Sequence, residues 1–217
     1  MTTPGNNDVK AQLTAIVRLL EYPGADSAER LARAGNSAAL ARFAAGVSTM
    51  TSDEREELYT ATFDVTPACV AYVSIHLFGE ENFKRGEFMA SLNARYAQAG
   101  FDCQGELPDH LAVLLRFAAE TNEAERRELS EFCLLGPLGK MIAALGEENP
   151  YRALLEAVRE VLQTAYPGVK PASSPLEQMQ QHGGVCAALA SECHCGSAPE
   201  EHLAASSNDH HKPALTP

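Results

Sequence analysis

Apolar residues return every three or four positions in one segment of this chain after another, and no segment alternates apolar and polar residues over the length of a strand. Side chains three and four apart share one face of a helix, so each such segment can hide its apolar stripe only against another helix. That periodicity sets aside a sheet-based fold before any motif is considered. The composition agrees: tryptophan is absent, and Ala, Leu and Glu, which lose little rotamer freedom in a helix, are abundant.

Turn and cap residues divide the pattern. The first stripe runs from Val9 to Tyr22 through Leu13, Ile16, Val17 and Leu20, and stops at Tyr-Pro-Gly. A second helix is expected from Ser27, as N-cap, to Ala45. Thr51-Ser52-Asp53 opens a third, with Leu58, Ala61 and Phe63 on its apolar side. Thr66-Pro67 has the form of an N-cap followed by a first-turn proline, ahead of Val70, Val73, Leu77 and Phe78, with Gly79 as the stop. The helix carrying Phe88, Met89, Leu92 and Tyr96 ends at Gly100, and Glu80–Lys84 and Glu81–Arg85 are spaced as i,i+4 pairs. Two shorter helices are expected on either side of Gly136-Pro137, and a last one starts near Asn149-Pro150 with Leu154, Leu155, Val158, Val161 and Leu162. From Pro167 onward Pro, Ser, Ala and His replace large apolar residues. The expectation is all-α: a single globular helical domain over residues 1–166, then a flexible tail over 167–217.

At 217 residues the chain can bury one sizeable core. Its net charge of −12 would be repelled by phosphates, so no nucleic-acid partner is expected, and it suits a basic partner such as an arginine-rich peptide. "MTTPGNNDVK" has no basic stretch leading into an apolar run, so no secretory signal is expected. No apolar run approaches the ~20 residues that span a bilayer, so no membrane insertion is expected either. A cytoplasmic protein would keep its cysteines reduced; Cys69 and Cys133 read as small buried residues.

"GELPDHLAVLLRF", residues 105–117, places an Asp-His pair where an apolar helix begins. Adjacent helical residues point about 100° apart, so Asp109 is badly placed to orient His110 as a general base. No nucleophile elbow, zinc-protease helix or phosphate loop accompanies the pair, and no catalytic residue is assigned. The local reading is structural: Pro108 in the first turn, Asp109 at the positive end of the helix dipole, and His110 on the flank of the apolar stripe.

In company the stretch means more. "LYTATFD", "HLFGEENFKRGEFMASL" and "YAQAGFDCQGELPDHLAVLLRF" follow one another in the order and spacing seen in assembly chaperones of molybdenum oxidoreductases, and "RLLEYP" near the start is similar too. Over residues 9–165, and most specifically from Phe63 through Leu111, the chain resembles the nitrate-reductase (NarJ) branch of the TorD/DmsD family of redox-enzyme maturation chaperones. The resemblance implies one all-helical domain without catalysis and with no tightly bound cofactor. It implies a partner, the apo catalytic subunit of a molybdenum oxidoreductase. That subunit is gripped by its N-terminal or twin-arginine leader while molybdopterin guanine dinucleotide is inserted into it, before export or membrane docking. The family's E-P-x-D-H motif maps onto Glu106, Pro108, Asp109 and His110, with Leu107 between the Glu and the Pro.

A leader with paired arginines and an apolar stretch needs carboxylates for the guanidinium groups and a groove for the rest. Glu106, Asp109 and Asp64 could supply the acid, and Tyr59, Phe63, Leu111 and Leu115 the groove. Asp64 equally suits a cap on the Thr66-Pro67 turn, and Phe63 and Leu115 equally suit plain core. His76 and Arg85 are expected to bond within the protein.

The tail offers the rival. His182, Cys186, Cys193, Cys195 and His202 fall close together, and thiolate with imidazole is the donor set zinc prefers. "CHCGS" is similar to the opening of the SEC-C zinc motif, without its closing Cys-His pair. These residues are the candidate zinc ligands. If they are real, the chain is a metal-binding or redox-sensing adaptor acting through its tail; if not, they are scattered residues of a flexible one.

Overall fold

The computed structural model describes residues 5–35 and 37–178. Helices account for the regular structure among them: α1 (Asn6–Val17), α2 (Ser27–Arg33), α3 (Ala38–Val47), α4 (Ser52–Phe63), α5 (Val73–Phe78), α6 (Lys84–Ala99), α7 (Leu111–Glu120), α8 (Glu123–Leu129), α9 (Leu135–Ala144) and α10 (Pro150–Ala165). No strand longer than an isolated bridge occurs among the described residues. The all-α expectation holds.

The core is built around α1 and α10. α10 starts at Pro150 behind an Asn149 side chain that accepts the Tyr151 N–H, and it buries Leu154, Leu155, Val158 and Leu162 completely. It packs on α3, α9 and α1, while α1 lays its other side along α7. The α3–α10 approach is close: a Cβ on Gly46 would lie 2.7 Å from Pro150 Cγ, so only glycine fits there without movement.

Several boundaries differ from the expected ones, each for a local reason. α1 ends at Val17, and tighter turns carry the chain on so that Leu19 and Leu20 stay buried. The helix expected from Ser27 to Ala45 is two helices, because Gly35 takes a φ of 91° and Ser37 caps a new start by accepting the Leu40 N–H. The N-cap of α2 is Asp26, and Ser27 is its first helical residue. Thr66-Pro67 opens no helix: Thr66 sits at φ 54°, a strained conformation for a β-branched residue. The next helix waits until Val73. Gly136-Pro137 does not break its helix. The chain runs from α8 through a π-helical turn, Ser130–Leu134, directly into α9. A proline at 137 cannot donate to the carbonyl four residues earlier, and the wider turn just before it accommodates the lost bond.

The expected glutamate–lysine and glutamate–arginine pairs on α6 are also absent. Arg85 instead donates to the Glu80 carbonyl and to Ser74 Oγ, and His76 bonds the Val70 carbonyl, both within the protein as anticipated. Residues 167–178 lie against the helices: Ala172 N–H donates to the Glu131 carbonyl of the π-turn, and Lys140 Nζ bridges Glu177 at 2.9 Å and the His76 carbonyl at 2.8 Å.

Candidate functional site

Three stretches of irregular backbone meet beside the start of α7: the turn after α1, the chain between α4 and α5, and the loop from Phe101 to His110. The last two are joined as a short antiparallel pair. Tyr72 bridges His110, Val73 N–H donates to the Asp109 carbonyl, and Leu111 N–H donates to the Ala71 carbonyl, both at 2.9 Å.

The loop is held from both ends. Phe101 packs in a ring cluster with Tyr96 and Phe117, with centroids 5.0 and 5.3 Å away, and Arg116 lies over its ring. Arg116 also donates to the Asp102 carbonyl at 2.9 Å and to Gln104. At the other end the buried Tyr96 hydroxyl donates to the Pro108 carbonyl at 2.8 Å. Burial drives the Tyr96 phenol far above its usual range, so it remains a donor.

The start of α7 differs from the sequence reading. Pro108 and Asp109 precede the helix, and His110 is the N-cap, with Nδ1 accepting the Ala112 N–H at 3.3 Å. That bond places the imidazole proton on Nε2. Burial lowers the His110 pKa below 6.5, against the opposing pull of Glu106 and Asp109, and the Arg116 charge lowers it further; the ring is therefore a neutral cap at pH 7.

Asp109 does not face the helix dipole or the solvent. It is 0% exposed, and its Oδ2 accepts from Ser74 Oγ at 2.5 Å and from the Ser74 N–H at 3.4 Å. Ser74 Oγ in turn accepts from Arg85 Nε at 2.9 Å, so Arg85, Ser74 and Asp109 form a chain of bonds tying α6 and α5 to the loop. Asp109 Oδ1 has no protein partner.

The remaining sequence-derived candidates separate by exposure. Glu106 and Asp64 are exposed, and Tyr59, Phe63 and His110 are half-buried. Pro108, Leu111 and Leu115 are buried: Leu111 forms the floor of a small cleft with Tyr59, Phe63 and His110, and Leu115 lies deeper in the core. A second cleft beside it is lined by Glu106, Glu21, Cys103, His110 and Arg116.

The structure adds Tyr22, Tyr72 and Tyr151 to the expected Tyr59 and Phe63. Tyr22 meets Tyr59 edge to face and Tyr59 meets Phe63 at a tilt, each centroid 5.3 Å from the next, and Tyr151 of α10 closes against Phe63 at 4.9 Å. Tyr22 is 51% exposed and donates to Glu56 at 3.2 Å. Tyr72 packs on the His110 ring at 5.5 Å. The only sequence signal for the first of these was "RLLEYP", which holds Glu21 and Tyr22.

Carboxylates act on the phenols of this surface. Burial raises the Tyr59 and Tyr72 phenols, and in each the next cause is the Glu106 carboxylate, with Asp64 also contributing. Glu21 adds to the effect on Tyr59. An aromatic strip beside carboxylates is suited to a cationic, apolar segment: ring faces attract guanidinium groups and carboxylates pair with them.

Among the described residues no group of Cys, His, Asp and Glu converges as a metal site. His182, Cys186, Cys193, Cys195 and His202 lie outside the described residues. No described helix is long and apolar enough to cross a membrane.

Residues 26–166 match the protein family described as nitrate reductase delta subunit. Two relatives, from Escherichia coli strain K12 and Escherichia coli O157:H7, both carry the name nitrate reductase molybdenum cofactor assembly chaperone NarJ. Each is 29% identical over 170 residues, covering 71% of this chain and 70% of its own.

Proposed function

The chain belongs to the nitrate reductase delta subunit family, and we propose that it binds the N-terminal leader of the apo catalytic subunit of a molybdenum oxidoreductase. Its role is that of an assembly chaperone rather than an enzyme. It holds the client in the cytoplasm until molybdopterin guanine dinucleotide has been inserted, and so delays export or membrane docking.

The observation that carries this reading is the aromatic strip of Tyr22, Tyr59 and Phe63, rimmed by Glu21, Glu56, Asp64 and Glu106. A twin-arginine or otherwise basic leader brings guanidinium groups and apolar side chains together. The exposed carboxylates attract the first, and the aromatic strip takes the second. The net charge of −12 steers such a segment toward the chain and adds a salt dependence.

Co-purification tests the reading. An apo molybdenum-oxidoreductase catalytic subunit from the same organism should be retained by it, and the same subunit lacking only its N-terminal segment should not. Equal retention of both forms would contradict leader binding.

A further inference from the structure

Glu21 belongs to two places at once. It lines the cleft that holds Glu106, His110 and Arg116, and it also lines a separate cavity of about 380 Å³ between the end of α1, α2, α3 and α4. Leu19, Leu31, Phe43, Val47, Leu58 and Tyr151 make that cavity largely apolar.

α2 closes one side of the cavity with little hold of its own. None of its residues is fully buried, and its one large apolar side chain, Leu31, is only partly so. What fastens it is Arg30. Nη1 reaches the Arg18 carbonyl at 3.0 Å, the Tyr22 carbonyl at 3.4 Å and Glu21 at 3.2 Å, while Nε donates to the helix's own N-cap, Asp26, at 2.8 Å. The Glu21 carboxylate is 41% exposed while it holds Arg30 and so remains open to a competing cation.

We propose that Glu21 couples the two sites. A client arginine entering the cleft takes the Glu21 carboxylate from Arg30, α2 loosens, and the cavity receives the apolar residues next to that arginine. The occupant is thus a segment carrying an arginine and an apolar stretch together: the arginine frees α2 and the stretch fills the cavity. The inference rests on the leader reading above and adds to it a residue that sets specificity. An exposed ion pair shifts an equilibrium by about 1.4- to 5-fold, weak enough for a competing guanidinium to undo. In the free chain this pair, with the Arg30 bonds to the Arg18 and Tyr22 carbonyls, keeps α2 closed.

Hydrogen exchange over residues 27–33 of the full chain tests this, with two synthetic peptides as probes. One carries two arginines followed by an apolar stretch; in the other both arginines are glutamine. The arginine peptide should speed α2 exchange about 2- to 5-fold. The glutamine peptide should leave it unchanged. Glu21→Ala should raise exchange to a similar extent without peptide, with no further rise when the arginine peptide is added. If the arginine peptide binds and α2 exchange stays at its free value, or if Glu21→Ala exchanges like the unaltered chain, the coupling is overturned while leader binding stands. If neither peptide binds the unaltered chain, the leader reading fails and the inference fails with it.

Discussion

Replacing Asp109 distinguishes a residue that touches the client from one that positions those that do. Asp109→Ala takes away the acceptor of two donors on Ser74, itself 0% exposed, and breaks the chain of bonds that continues to Arg85. Each buried polar group left unpaired costs about 1–3 kcal/mol, so the expected loss of stability for two is about 2–6 kcal/mol. Asp109→Asn behaves differently. It keeps an oxygen for Ser74 and puts an amide where Oδ1 already lacks a partner. One unpaired atom replaces another, and the loss of charge assistance leaves a cost of about 1 kcal/mol. Urea unfolding followed by circular dichroism should therefore rank the unaltered chain above Asp109→Asn, and Asp109→Asn above Asp109→Ala. Leader affinity should follow the same order, because the loop bearing Glu106 and His110 shifts only when its anchor is gone. A carboxylate in direct contact with a client guanidinium would instead cost about 2–5 kcal/mol of binding for either substitution. Equal loss of binding in both variants, at unchanged stability, would refute the positioning role.

The His110 pKa is lowered in the fold, chiefly by burial, and so is that of His76, where burial and then the Lys140 charge outweigh the bond to the Val70 carbonyl. The unfolded chain therefore binds more protons below the ordinary value of 6.5. Both histidines contribute stability that is intact above that pH and is lost as pH falls through the lowered folded values; His110→Asn, which can still cap α7, should flatten this slope in unfolding measured from pH 7.5 to 5. Gly46→Ala should destabilise by about 1–3 kcal/mol in urea, since overpacking against Pro150 outweighs the ~1 kcal/mol gained in helix propensity; a stabilised variant would show that α3 and α10 can part. Tyr96→Phe should cost about 1 kcal/mol through the unpaired Pro108 carbonyl, read in the same assay.

Helical class was legible because it depends on local spacing: Leu154, Leu155, Val158 and Leu162 fall on one face whatever they meet, and all are buried. Caps built from neighbouring residues were equally legible, such as the reciprocal bonds of Thr51 and Glu54 that open α4 and the Gly100 stop after α6. Thr66-Pro67 misled because tertiary pairing of Ala71–Val73 with Asp109–Leu111 overrides a local helix-start signal. Asp109 misled for the same reason. Its sequence position suits a dipole partner, but Ser74, which captures it, lies 35 residues away in the chain. The aromatic strip could not be read from any one motif, since Tyr22, Tyr59 and Tyr151 come from distant segments and only the fold stacks them.

The central claim is that the aromatic, acidic surface at the start of α7 binds a basic, apolar leader. Calorimetry with the leader peptide of a molybdenum-oxidoreductase catalytic subunit from the same organism tests it most directly, on the unaltered chain and on a Tyr59→Ala, Glu106→Gln double variant. The account predicts micromolar binding that weakens as salt rises and falls at least ~10-fold in the double variant. No heat at micromolar concentrations, or equal affinity in both proteins, would contradict it.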